Sequence, residues 1–274
     1  MLRTLLIEEL QKTFTDSTYP VYVATSGGVD SSSLVVALLD TDLRPIITSF
    51  TLNDRESQDF QAARKLAHHF SLDFVPVYIP TDAEIIRQSV IRNMQKYRLQ
   101  KKADIECMYP FIYMIERLHE IGTRYLLSGI WADGHFCLSK SGMIHARHSK
   151  EAFQQFRKAY FYGQEKRQKT ILPIVCRQYG IQFCAPFWST SIYDLFSNTT
   201  WNEINKPRQK EAIRKEFPEL DGLRLKNHLN LQLGDSGIAD LVGETIRARY
   251  TPHRKSPVSA YNYLAQRIKE SSRR

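Results

Sequence analysis

Tyr19-Pro-Val-Tyr-Val-Ala-Thr25, running directly into Ser26-Gly27-Gly28-Val29-Asp30-Ser31-Ser32, is the stretch that decides how this chain is read. The first seven residues are rich in aromatic and β-branched side chains and read as a short strand. From Ser31 to Asp40 the apolar residues recur with helical periodicity. Between them lies a Ser-Gly-Gly loop, so the unit is strand, loop, helix. Gly27 and Gly28 let the backbone approach a ligand with no Cβ in the way. A helix opened by such a loop turns backbone N–H groups and the positive end of its dipole toward whatever lies above it, which suits phosphate oxygens. Ser26, Ser31 and Ser32 add hydroxyls, and Asp30 adds a carboxylate suited to a divalent cation. The Gly-Lys-Ser/Thr ending of a Walker A loop is absent, which disfavours γ-phosphoryl transfer of the kinase sort. The plainer alternative is a strand-to-helix turn with no ligand.

The same alternation continues outward. Pro45 to Leu52 reads as a strand, Gln58 to Phe70 as an amphipathic helix and Asp73 to Ile79 as a strand. Ala83 to Lys96 and Pro110 to Glu120 read as helices, and Arg124 to Ser128 as a buried strand. Strands alternating with helices predict an α/β fold with a parallel sheet and right-handed crossovers. Ligands of such sheets bind at the carboxyl edge of the strands. Beyond Lys140 the pattern turns helical, from Lys150 to Tyr179, around Lys206 to Glu216 and from Pro257 to Lys269, with a short apolar piece at Ile181 to Phe187. The expected division is an α/β core over 1–140 and a mostly helical lobe over 141–274 that completes the site.

Composition narrows the class. With 274 residues, 42% hydrophobic and 24% charged, the chain has ordinary globular usage and enough length to bury an ample core. The opening MLRTLLIEELQKTF has an apolar stripe, but Glu8, Glu9 and Lys12 are too many charges for a signal peptide, so it reads as an amphipathic helix. No run of about 18 apolar residues suggests a membrane span. Cys107, Cys137, Cys176 and Cys184 form no CxxC pair, which argues against a zinc ribbon or a disulfide scaffold and for a cytoplasmic protein. The net charge of +9 is concentrated toward the end, where from Leu241 onward eight Lys or Arg face two Glu. That tail is either a solvated helical face or a surface for an anion, nucleic acid included.

SGGVDSS resembles the SGGxDS signature of the PP-loop ATP pyrophosphatases, whose fold is that of the adenine-nucleotide α-hydrolases. Further elements follow the order seen in asparagine synthetases: Ile47-Thr-Ser-Phe-Thr-Leu52 with Asp59 and its helix, Tyr109-Pro110 ahead of a helix, and Leu127-Ser-Gly-Ile-Trp-Ala-Asp133. Later come Ala185-Pro-Phe-Trp-Ser189, similar to a "PFLD" segment, Lys210-Glu-Ala-Ile-Arg214, similar to a Lys-x-x-Leu-Arg helix, and Arg224-Leu-Lys226, similar to an Arg-x-Lys element. The resemblance covers roughly Thr25 to Gly237. It implies ATP as cosubstrate, with Ser26, Gly27, Gly28, Asp30, Ser31 and Ser32 around the phosphates and Thr25, Leu52, Ser128 and Gly129 near the adenosine. It implies Mg²⁺ shared by Asp30 and Asp133, an ion that keeps several waters and takes few carboxylates. Lys226, and with it Lys210, would reach in to stabilise charge on the α-phosphoryl group and the leaving pyrophosphate.

The departures fall on the acceptor half. Where the family carries Glu directly after Leu-Ser-Gly, a residue implied to take a proton from ammonia, this chain has Ile130. Asp-Glu becomes Asp133-Gly134, PFLD ends in Ser189, and the Glu-x-x-Asp element has only Asp104 and Glu106 in a shifted register. The resemblance therefore implies an AMP-forming ligase or amidotransferase with a changed acceptor, a small molecule or a nucleobase. Only one helix's length precedes Tyr19, with no nucleophilic cysteine opening it, so nitrogen is expected from a separate glutaminase, from free ammonia or from a ready-made amine. The alternatives are a nucleobase- or tRNA-modifying enzyme, served by the basic tail, and a nucleotide-binding regulatory module without turnover. Thiolation through Cys137 or Cys107 is disfavoured, since a lone cysteine is more often a small buried hydrophobe. His135, His145 and His148 suit a substrate-facing loop, with metal binding a weaker option.

Overall fold

The computed structural model describes residues 1–163, 167–223, 236–251, 253 and 257–271, the side chains of 167–169 and 257 excepted. In chain order the elements are α1 (Leu2–Thr13), β1 (Val21–Ala24), α2 (Val29–Leu39), β2 (Pro45–Leu52), α3 (Gln58–His69), β3 (Phe74–Ile79), α4 (Ala83–Tyr97), α5 (Lys102–Glu120) and β4 (Tyr125–Ser128). Then follow α6 (Asp133–Phe136), α7 (Lys140–His148), α8 (Lys150–Tyr162), α9 (Arg167–Gln178), β5 (Gln182–Cys184), α10 (Thr190–Ser197), α11 (Trp201–Asn205), α12 (Glu211–Glu216), α13 (Ile238–Tyr250) and α14 (Pro257–Ser271). The strands form one sheet in the order β3-β2-β1-β4-β5, every pair parallel.

Strand periodicity explains the two cores. Val21 and Val23 point to one face of the sheet, where Ile47, Tyr125 and Leu127 join them under α1, α2 and α3. Tyr22 points to the other, where Ile46, Leu126, Val77 and Ile79 pack under α4, α5, α9, α13 and α14. Both faces are covered, which is why these strands read as near-continuous apolar runs rather than as alternation. The N-terminal helix follows the same logic: Leu2, Leu6 and Leu10, four apart, are buried together, each contributing about 2 kcal/mol by area. On its other side Arg3 reaches Asp40 at 2.7 Å and Glu219 at 2.7 Å, tying α1 to the end of α2 and to the turn after α12.

Three boundaries differ from the sequence reading. The helix expected over Pro110 to Glu120 begins at Lys102, and Pro110 lies inside it. The apolar piece near Ile181 contains β5, a three-residue edge strand beside β4, too short to show a period. The segment Lys206 to Glu216 is helical only from Glu211, because Lys210 takes a left-handed conformation at φ +58° and caps α12. No helix among the described residues is long and apolar enough to cross a membrane.

Candidate active site

The chain reverses direction across the sheet at β1: β2 and β3 extend to one side, β4 and β5 to the other. The loops leaving β1 and β4 therefore flank a switch point at the carboxyl edge, the place where open α/β sheets bind ligands. After β1, Thr25 continues the ladder through its N–H to Thr48 O at 2.8 Å. Gly27 then turns at φ +69°, and Gly28 is the extended cap of α2. A Cβ on Gly27 would lie 2.3 Å from Ala62 Cβ on α3, so the loop is pressed onto that helix. Gly27→Ala is expected to cost about 2–4 kcal/mol, from the left-handed φ and the overlap together, seen as a lower urea midpoint and weaker nucleotide binding. An unchanged midpoint would show that the loop tolerates a side chain here.

The exposed Ser26 stands at the loop's open side, while Ser31 Oγ turns back to Gly28 O at 3.2 Å. Ser32 is fully buried and its hydroxyl has no partner among the described residues. The unpaired N–H groups of the first turn of α2 and its dipole point out over the same edge. Across the switch point the loop from β4 comes close enough that a Cβ on Gly129 would sit 3.0 Å from Ser31 N. Ser128 Oγ accepts the Ile130 N–H at 3.3 Å, and Ala132 N–H bonds Gly129 O at 3.4 Å, winding the loop tightly toward Asp133. Thr25, Leu52, Ser128 and Gly129 thus gather at the ends of three neighbouring strands.

Asp30 and Asp133 converge on one cation. Lys210 Nζ donates to Asp30 Oδ2 and, at 2.8 Å, to Asp133 Oδ1. The lysine side chain is 3% exposed, against 20% and 36% for the two carboxylates. Burial pushes the Lys210 pKa down, but Asp30 and then Asp133 outweigh it, and the net direction is up. With its folded pKa raised, this contribution to stability is full below the ordinary lysine value and fades only at strongly alkaline pH. Lys210 is held by its own N–H to Asn205 Oδ1 at 3.1 Å, and Asn205 in turn donates to Phe136 O at 3.0 Å, so α11 is locked onto α6 beneath the site. Asn205 was not legible in sequence; a lone Asn carries no signal until its partners are known.

The arrangement fits Mg²⁺ held with a nucleotide. An ammonium group lies between two carboxylates where a divalent cation would be shared, and the described residues contain no group of three or more metal-ligating side chains. Mg²⁺ characteristically takes one or two carboxylates and completes its shell with phosphates and water. Lys226 and Arg224 lie outside the described residues.

The acceptor side corrects several expectations. Ser189 caps α10, accepting the Ile192 N–H at 3.3 Å, a task an aspartate performs equally well. At Gly134 the missing side chain is replaced from another element: a Cβ there would meet Tyr160 Cδ1 at 3.2 Å and Cε1 at 3.3 Å. Burial, with Asp133 second, pushes the Tyr160 phenol up. His135 does not face a substrate; it is fully buried among Phe161, Tyr193 and Phe196, with Nε2 donating to Phe187 O. His145 bonds Ser141 O at 2.8 Å and stacks on Phe156. Glu106 pairs with Lys102 at 2.6 Å and Tyr261 at 3.2 Å, a buried structural contact. Burial pushes the Cys176 and Cys184 thiols up to about 12, and Cys137 is buried with Sγ donating to Gly134 O at 3.4 Å.

A parallel sheet ordered 3-2-1-4-5, with a Gly-Gly loop opening the helix after its central strand, defines a nucleotide-handling α/β domain of the PP-loop class. Compared with known protein families, residues 2–217 match asparagine synthase. The match covers most of the chain, and the chain belongs to that family, whose synthetase domain is an ATP pyrophosphatase. None of the curated proteins matches it.

Proposed function

We propose that this protein binds ATP over the Ser26–Ser31 loop, transfers AMP to an acceptor oxygen with release of pyrophosphate, and passes the activated acceptor to a nitrogen nucleophile. The observation that carries the reading is the convergence of Asp30, Asp133 and Lys210 beside a Gly-Gly loop at the switch point of the sheet. In the first step the acceptor oxygen attacks the α-phosphorus and the bond to the bridging oxygen breaks, so that pyrophosphate leaves. In the second the nitrogen attacks the activated carbon, AMP leaves, and the nitrogen loses a proton. The N–H groups at the start of α2 hold the departing phosphates, and Gly27 and Gly28 let them approach. Asp30 and Asp133 hold Mg²⁺, which when bound neutralises phosphate charge. Lys210, fixed by Asn205, keeps positive charge beside the leaving group, where a preorganised cation contributes most in a site poor in water. Lys226, which the family resemblance implies, would add a second positive charge to the phosphates. The nitrogen comes from a separate glutaminase, ammonia or an amine.

The loop has no Walker lysine, so the expected products from ATP are AMP and pyrophosphate. Chromatography of the nucleotide after incubation with Mg²⁺ and candidate acids or amides tests this. ADP as the main product would overturn it, and no turnover with any acceptor would favour a regulatory module. A nucleic-acid acceptor would draw on the basic tail, whose helices α13 and α14 pack on the second core through Val242, Ile246, Tyr261 and Leu264.

A further inference from the structure

Next to Ile130, at the same edge of the sheet, begins a cluster of aromatic rings. The Trp131 ring lies 4.9 Å from that of Trp188 and 6.3 Å, edge on, from Phe183. Trp131 belongs to the loop after β4, and Trp188 to the helical turn Pro186–Trp188 after β5, so the wall is built from neighbouring strand ends, across β4 from the Gly-Gly loop. Trp188 is 39% exposed and Trp131 only 7%.

Trp131 is an expensive residue in this position. Its φ of +76° is a left-handed conformation that bulky side chains avoid, and its indole N–H is buried without a partner among the described residues. Two such costs at one residue, three positions past the end of β4 and two before Asp133, point to a use in binding rather than in folding. The surrounding charge points the same way. Over Gly129 to Gly134 the only carboxylate is Asp133, and Lys210 bonds it, while the residue before Trp131 is the half-buried Ile130. An amino-acid acceptor would need an acid for its ammonium group, and this loop offers none uncommitted.

We infer that Trp188, backed by Trp131, forms the wall of the acceptor subsite, and that the acceptor is a carboxylic acid with a planar aromatic body. The inference rests on the adenylation reading above for the word acceptor, and on the rings for the class of ligand.

Calorimetry on the full chain with Mg²⁺ and α,β-methylene-ATP, which cannot release pyrophosphate, separates the two. Indole-3-acetate is expected to bind at least about tenfold more tightly than aspartate, since ring stacking adds to area burial. Trp188→Ala should weaken indole-3-acetate about tenfold with nucleotide affinity unchanged, and Trp188→Phe should keep most of the binding. Aspartate binding as tightly as the aromatic acid, or an unchanged affinity in Trp188→Ala, would overturn the inference. Pyrophosphate release is then measured with both acids. Release with aspartate alone refutes the aromatic class while sparing adenylation. Binding through Trp188 without release from any acid keeps the wall and defeats the adenylation reading.

Discussion

Asp30→Asn is expected to lower ATP turnover by orders of magnitude while the protein stays folded. The substitution changes volume almost not at all and leaves Lys210 its second partner, Asp133, at 2.8 Å, so the buried ammonium is not abandoned. What disappears is one of two carboxylates able to share a divalent cation, together with the charge that positions Lys210 at the start of α2. Removing a single preorganised group that acts on developing charge costs on the order of a hundred- to a thousandfold in rate, and here the same change weakens metal recruitment. Pyrophosphate release and a melting curve on the same preparation check both halves. Normal turnover in a folded variant would remove this cluster from the chemistry. The effect of Asp133→Asn should be in the same direction and smaller, because Asp133 is the more exposed of the pair and Asp30 remains to recruit the metal.

The second expected result is poor asparagine formation from aspartate, ATP, Mg²⁺ and saturating ammonia, despite membership of the family. Ile130 stands where the resemblance implies a proton acceptor, and it packs, half buried, against the second core. An alkyl side chain cannot take a proton, and a well-placed general base contributes about a hundred- to ten-thousandfold. The structure supplies no obvious substitute in this loop, since Asp133 is bonded to Lys210. Asparagine produced by the unmodified chain is to be compared with that of Ile130→Glu. Brisk synthesis without the substitution would refute the claim that acceptor chemistry has diverged.

The parallel sheet and the place of the Gly-Gly loop were legible because they depend on short-range patterns: apolar strands covered on both faces, and helices with one buried stripe. That Asp30 and Asp133 come together was legible from motif order. What could not be read was how distant residues meet. Lys210 is named only through the resemblance; on its own residues it reads as a surface lysine, and its burial follows from a left-handed turn and from Asn205, neither of which has a sequence period. Pro110 misled because a proline inside a helix is rarer than one at its start. His135, His145 and His148 cluster along the chain, yet one enters the core and another stacks on a helix surface. Trp131 and Trp188 are far apart in sequence, and nothing local announces their pairing.

The Tyr160 ring over Gly134 also bears on how this site can change. A Cβ at 134 would crowd the ring at 3.2 Å, so a side chain introduced there needs the Tyr160 ring on α8 to give by a few tenths of an ångström. A glutamate placed at 134 is expected to be better tolerated when Tyr160 is trimmed in the same molecule than when it is not. Position 160 therefore belongs in any design that builds an Asp-Glu pair here, although no comparison of the motif alone would single it out.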